Sequence, residues 1–296
     1  MLERLPLHGD ETVIDAGCGS GRVTRLLLDR LPLGHVIAVD AAPSMTAEAR
    51  QALDDRATVI TSDLVDLLVD KPADAAFSNA VFHWVPDHDA LFGRLFDSLK
   101  PGAPLVAQCG GQGNIEAFHR AARQVGESAR YKAHLGGWEG PWNFASPQDT
   151  AERLRRAGFE DVRTWLEPST VRPPEPATFV RVVCLGHHLD SLPEELREPY
   201  VVDVMKAYGE PMDLHYVRPE HHGPEISRCV ALAQLDRHSG TASAGRTRTC
   251  LSADRRHARA VGEGGCHDAA AREVVGTAQQ VAHLVDHRGA EHVPVL

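Results

Sequence analysis

The residues of this chain best suited to chemistry are spaced through its first third. Asp15, Gly17, Cys18, Gly19 and Gly21 form one group, followed by Asp40, Asp63 and Asn79. In the first group, apolar Val13 and Ile14 run into an acid. Three glycines then fall on alternate positions, ahead of an amphipathic run through Val23, Leu26 and Leu27. That order predicts a buried strand, a tight turn and a helix. Glycine lets the turn take positive φ and lets a ligand lie against bare backbone. The helix behind it offers unpaired N–H groups and the positive end of its dipole. Each acid alone could be a helix cap or a solvated loop charge. Three in succession after a glycine turn point to one ligand held along a sheet edge.

The elements that would position these residues follow a regular rhythm. A first strand is predicted near Glu11 to Asp15, and a helix over 20–30 that Pro32 and Gly34 end. His35 to Asp40 reads as a second strand closing on an acid. Pro43-Ser44 opens a helix, with Ser44 as a plausible N-cap and Met45, Ala49 and Leu53 on one face. Ala57 to Thr61 is a third strand leading to Asp63-Leu64, and Asp74 to Asn79 a fourth. A helix is expected from Asp87 to Leu99, and Lys100-Pro101-Gly102 turns into a strand from Pro104 to Gln108. Later come a helix over 114–128, an apolar loop from Gly136 to Phe144, a helix over 147–157 and a strand from Val162 to Leu166. Helices over 176–188 and 193–208 precede a seventh strand beginning at 214–218. Alternation of this kind predicts a Rossmann-like, doubly wound α/β fold: a mostly parallel seven-stranded sheet with helices on both faces. Ligands of such sheets sit outside the carboxyl ends of the strands, where Asp15, Asp40, Asp63 and Asn79 all map. At that edge Asp40, 25 residues after Asp15, can accept both hydrogen bonds of a ribose diol.

Composition narrows the class of function. A net charge of −10 over 296 residues argues against a nucleic-acid or anionic-membrane surface. No apolar run approaches the roughly 18 residues of a membrane span, and the first residues do not read as a secretory signal. The six cysteines show no C-x-x-C and no metal-ligand rhythm, so no metal is expected and a reduced, cytoplasmic protein is.

A dinucleotide fingerprint would need a glycine at position 22, which is Arg22, so a nicotinamide oxidoreductase is disfavoured. Acid-x-Gly-x-Gly-x-Gly, with Asp15 closing the strand, instead resembles motif I of the class I S-adenosyl-L-methionine (SAM) methyltransferases. The resemblance covers residues 1–218. The stretch from Asn79 to Pro86 with His83-Trp84, the turn Lys100-Pro101-Gly102 and the loop from Trp138 to Phe144 look most like small-molecule enzymes of the trans-aconitate methyltransferase type. This resemblance implies SAM as cofactor. It implies Gly17, Cys18 and Gly19 beside the cofactor's amino-acid portion, with Asp15 and Asn79 near it, Asp40 on the ribose, and Asp63 and Leu64 at the adenine. The acceptor is then a small molecule, methylated on oxygen. A carboxylate is already ionised and needs no general base, whereas an amine or alcohol would need one, and His83 is the motif-adjacent candidate. Trp84, Trp138 and Trp142 are candidates to line the acceptor site. The apolar loop either braces the fold or covers that pocket. An anionic acceptor calls for an arginine clamp, for which Arg130, Arg172 and Arg181 are candidates, each otherwise an ordinary surface arginine.

Two features depart from the family pattern. Only about ten residues precede the first strand, where relatives carry one or two helices. After Arg218, Pro219 interrupts the expected last strand. The 78 residues from 219 to 296 contain no aromatic residue and no Lys yet eight of the 17 His. They are expected to be a disordered or out-of-frame tail, and a zinc site built on Cys229, Cys250 and Cys266 matches no known ligand spacing. The alternative function is a methyltransferase-like protein with weak or no activity, its front cap and last strand compromised. Oligomeric state is not legible in the sequence.

Overall fold

The strand-forming runs alternate which core they feed, and that alternation sets the architecture. In the computed structural model, which describes residues 1–170, 176–209 and 225–235, seven strands form one sheet in the order β3-β2-β1-β4-β5-β7-β6. They are β1 (Thr12–Ala16), β2 (His35–Asp40), β3 (Ala57–Thr61), β4 (Ala75–Asn79), β5 (Pro104–Gly110), β6 (Phe159–Thr170) and β7 (Glu225–Leu235). Neighbours among β1 to β5 pair in parallel, and β7 runs antiparallel to both β5 and β6. Val13, Val36, Ala38, Phe77 and Val106 pack on one face, against Leu27 and Leu28 of α1 (Arg22–Asp29) and Ala49 of α2 (Pro43–Ala52). Ile14, Val39, Ala76, Leu105 and Ala107 pack on the other, against Leu91, Phe92 and Leu95 of α3 (His88–Asp97) and Leu154 of α6 (Pro147–Ala157). Successive side chains of a strand point to opposite faces, so a sheet covered on both sides needs apolar residues at nearly every strand position.

A third apolar cluster lies in helices inserted after β5 and β6. It joins Phe118 and Ala122 of α4 (Glu116–Gly126), Leu135 of α5 (Lys132–Leu135) and Phe179 of α7 (Pro176–Phe179) to Tyr200 and Val204 of α9 (Glu194–Tyr208). Between α7 and α9 lie a π-helical turn (Val180–Cys184) and the short α8 (Gly186–Asp190). Tyr200 donates its hydroxyl to the Ala122 carbonyl at 2.9 Å, and Tyr131 donates to Asp203 at 2.6 Å, fixing α9 to α4 and to the segment before α5.

The doubly wound sheet agrees with the sequence reading, with two corrections. The N-cap of α2 is Ala42, with Pro43 at the first helical position, and Ser44 already lies inside the helix. Proline suits that position because its missing N–H is one the first turn leaves unpaired. The second correction concerns the domain boundary at 218. The strand expected at 214–218 lies outside the described residues, as do Cys250, Cys266 and the tail's last stretch. The last strand of the sheet is Glu225–Leu235, inside the segment assigned to a tail. Pro219 stops an apolar run, but the run resumes from Ile226 and its residues Ala231 and Ala233 are buried between β5 and β6. The strand at 225–235 thus completes the seven-stranded sheet between β5 and β6. Among the described residues no helix is long and apolar enough to cross a membrane, and no group of His, Cys, Asp or Glu is placed to hold a metal ion.

Candidate active site

The chain runs outward from β1 through β2 to β3, then returns to β4 on the other side of β1. The crevice at this reversal is where a doubly wound sheet binds its ligand. Ser78 fixes it, donating its hydroxyl to the Ala16 carbonyl at 2.7 Å across β1 and β4. The glycine turn sits above. The amides of Gly17 and Cys18 both donate to the Val39 carbonyl, at 2.8 and 2.9 Å, and Gly21 at φ +84° caps α1.

Asp40 reaches back into this turn. One carboxylate oxygen accepts from the Gly19 amide at 2.9 Å, the other from the Ala42 amide at 2.9 Å. A carboxylate has about four lone-pair positions, so acceptor capacity remains on both oxygens. Burial raises the Asp40 pKa, opposed by the two amides. Asp40 thus pins the turn that the sequence presented only as its neighbour.

Gly17 and Gly19 differ. A Cβ on Gly17, at φ +88°, would stand 2.1 Å from a Val81 methyl, so this glycine is required by packing beneath the turn. A Cβ on Gly19, at φ +55°, would meet nothing within 4 Å. Gly19 therefore presents open backbone at the sheet's edge, which fits a ligand lying against it. Cys18 is buried and points its thiol at the Gly19 carbonyl, 3.5 Å away; burial pushes the thiol's pKa up.

Asp15 is closed off more than the sequence implied. It is 1% exposed and accepts from the Thr24 hydroxyl at 2.6 Å, a partner on α1 that its sequence position did not announce. Burial pushes its pKa up to about 7, against the pull of Thr24 and with a push from Asp40. Asp63 caps the turn Leu64–Asp66, accepting from the Val65 amide at 3.2 Å, while Leu64 is buried beneath. Asn79 accepts from the Gln108 side chain at 2.9 Å, and the next residue, Ala80, takes φ +60°. These groups line the carboxyl ends of β1 to β4 in the order expected.

His83 lies on the short helix Phe82–Trp84 beyond β4. Its Nδ1 accepts from the Gly110 amide at 3.1 Å, which places the proton of the neutral ring on Nε2. Burial, with His88 nearby, lowers its pKa to about 3. The ring is therefore neutral at pH 7, with its basic nitrogen engaged, and it offers a donor where the sequence suggested a base. His83 stacks on Phe144, centroids 5.6 Å apart, and Phe144 stacks on Trp142 at 6.0 Å. Trp84 lies 6.4 Å from Trp142, and Trp138 meets it edge-on at 5.6 Å. The apolar loop thus brings all three tryptophans together next to His83.

The proposed arginine clamps are engaged elsewhere. Arg181 donates to both oxygens of Glu198, at 3.0 and 2.6 Å. Arg130 pairs with Asp203 at 3.7 Å and lies over the Tyr131 ring. Arg172 lies outside the described residues. Sequence reasoning passed over three histidines, His119 on α4 and His187-His188 on α8, whose rings surround Trp142 at centroid distances of 4.5, 5.7 and 5.7 Å. The adjacent pair His187-His188 was the available signal, but a helix face is needed to say where it points.

With this geometry in view, comparison with known proteins is decisive. Residues 13–102 match the methyltransferase domain family. A trans-aconitate 2-methyltransferase of Variovorax paradoxus (strain S110) is 31% identical over 222 residues, which cover 69% of this chain and 79% of that protein. The chain belongs to the SAM-dependent methyltransferase family. A protein of the same name from Methylobacterium nodulans is 35% identical over 56% of this chain and 59% of its own length. Another, from Escherichia coli (strain 55989 / EAEC), is 36% identical over 44% of this chain and 51% of its own. The chain thus spans between about half and four fifths of these methyltransferases. The fold is shared with the YcgJ protein of Bacillus subtilis (TM-score 0.51, 12% identity, covering 80% of this chain and 96% of that one). It is also shared with a Bacillus halodurans C-125 protein assigned to the methyltransferases (TM-score 0.51, 16% identity, covering 79% and 96%). In this chain the open backbone at Gly19, the spare acceptor capacity of Asp40 and the acids along the edge fit the family's cofactor.

Proposed function

We propose that the chain transfers the methyl group of SAM to a carboxylate oxygen of a small organic acid of the trans-aconitate type, in the cytoplasm. Bound SAM supplies a methyl group already activated on a sulfonium, so the protein's work is alignment and exclusion of water. Asp40 holds the ribose hydroxyls through its remaining lone pairs, and Gly19 lets the ligand approach the turn. Asp63 and Leu64 meet the adenine. Asn79 orients the amino-acid end, with Asp15 fixing the turn from below. Trp84, Trp138 and Trp142 wall the acceptor.

The observation that carries the carboxylate reading is the hydrogen bond from the Gly110 amide to His83 Nδ1. The motif-adjacent imidazole has its Nδ1 lone pair occupied. A carboxylate, with a pKa of about 4, is an ionised nucleophile at pH 7 and needs no base. The reading is further supported by the names of the relatives.

Calorimetric titration with S-adenosylhomocysteine tests the cofactor half. Binding in the micromolar range, lost in Asp40→Ala, is the expected result. Methyl transfer from labelled SAM to a panel of small acids, amines and alcohols tests the acceptor half. A base-labile methyl ester is expected, with His83→Gln retaining most activity. Transfer to an amine or alcohol, abolished by His83→Gln, would overturn it.

A further inference from the structure

In the helical cap, three imidazoles converge on one indole. His119 stacks on Trp142, and His187 and His188 approach it from its edge and at a tilt. The His119 and His188 rings are 6.2 Å apart, and Trp138 meets His188 edge-on at 4.4 Å. His119 and His188 are 6% and 3% exposed. Each of the three rings has one buried nitrogen with no hydrogen-bond partner among the described residues: Nε2 of His119, Nε2 of His187 and Nδ1 of His188.

Buried polar atoms are nearly always paired, and those that are not call for a functional explanation. Three in one cluster, walled by aromatic rings and one stacking step from His83, suit a ligand that brings several acceptors at once. A metal ion is not indicated, since no such group of ligands is placed for one among the described residues. Arg123 bears on both His119 and His188, whereas Glu116, which it pairs with at 2.8 Å, bears on His119 alone. The local bias thus favours an anion over an ammonium group. Burial keeps all three imidazoles neutral, so they crowd together without mutual repulsion.

We infer that His119, His187 and His188 determine acceptor specificity, donating ring N–H groups to a carboxylate of the acceptor that is not itself methylated. This rests on the carboxylate reading above. It supplies the anion recognition that Arg130 and Arg181 do not. Trp142 stands among the three nitrogens on a segment with glycines at 136, 137 and 140, the last two at φ +70° and +85°. It is only half-buried, so movement of one side chain opens the three donors to an incoming acid.

The test uses the full chain, with trans-aconitate as the probe, titrated calorimetrically in the presence of saturating S-adenosylhomocysteine. Asn places an amide N–H where His188 has Nδ1, and Gln places one where His119 has Nε2. His188→Leu and His119→Leu should each weaken trans-aconitate binding at least tenfold, while His188→Asn and His119→Gln stay within about threefold of the parent. S-adenosylhomocysteine affinity should be unchanged in all four, which also reports that they fold. Trans-aconitate bound equally well by parent and leucine variants overturns the inference and leaves the carboxylate reading standing. A parent that binds S-adenosylhomocysteine but no acid, or binds an ammonium compound in its place, overturns both. If the leucine variants lose S-adenosylhomocysteine as well, the histidines are structural and the inference fails.

Discussion

Along the carboxyl ends of β1 to β4, Asp15, Asp40 and Asp63 each receive a hydroxyl or amide proton from the fold itself. Across Phe144, in the helical cap, His119, His187 and His188 each hold a buried nitrogen that receives and gives nothing among the described residues. The first region is the proposed cofactor site, and its polar groups double as struts of the fold. The second is assembled from an insertion and a loop, and one nitrogen of each of its three rings is left unpaired among the described residues. Recognition that is shared can be built into the scaffold. The proposed recognition of one acceptor falls to groups whose hydrogen bonds the scaffold does not use. Breaking the first region should therefore cost stability and cofactor together, whereas breaking the second should cost only the acceptor.

Gly17→Ala should have the largest effect. It sets a Cβ 2.1 Å from Val81 at φ +88°, combining overpacking with left-handed strain, and about 3 kcal/mol of stability should be lost. Denaturant unfolding measures this, and adding Val81→Ala should return part of it. Gly19→Ala meets no neighbour, so only strain of about 1 kcal/mol is expected. Its S-adenosylhomocysteine affinity should still fall at least tenfold, separating the packing glycine from the cradle glycine.

Asp40→Ala comes next. It removes two amide-to-carboxylate hydrogen bonds and should cost about 2–3 kcal/mol, with cofactor binding lost in the same titration. A variant that keeps full stability and loses only the cofactor would break the idea that this edge serves both roles.

The two regions should respond to acid with opposite signs. Folded Asp15 keeps its proton up to about pH 7, while its reference value is 3.8. The folded state thus binds the extra proton between those values. This group's contribution is full below about pH 4 and is lost as pH rises through about 7. Burial lowers His119 and His187 to about 4 and His188 to about 3, from 6.5. There the unfolded chain binds the extra proton, so their contribution is full above 6.5 and is lost as pH falls toward 4. In urea unfolding from pH 6.5 to 4.5, Asp15→Asn should steepen the loss on acidification and His188→Asn should flatten it.

Thr24→Val should have the smallest effect, about 1 kcal/mol, by removing the hydroxyl that Asp15 accepts from. It should also raise the pKa of Asp15 further, widening the gap to the Asp15→Asn profile.

The glycine turn, the acids at the strand ends and the doubly wound sheet were legible because each depends on local order. Period-two burial on two faces writes a near-continuous apolar strand, and positive φ writes a glycine. Residue types and spacing alone placed Asp15, Asp40, Asp63 and Asn79 on one edge. Which glycine packs and which lies open was decided by Val81, 64 residues from Gly17 and on another strand's exit. That His83 has its Nδ1 engaged was decided by the Gly110 amide on β5. The strand at 225–235 was not legible because its pairing between β5 and β6 is not a local signal. The histidine cluster was invisible for the same reason. Its members come from α4 and α8 and meet only through Trp142, on a loop whose apolar character announced burial without saying against what.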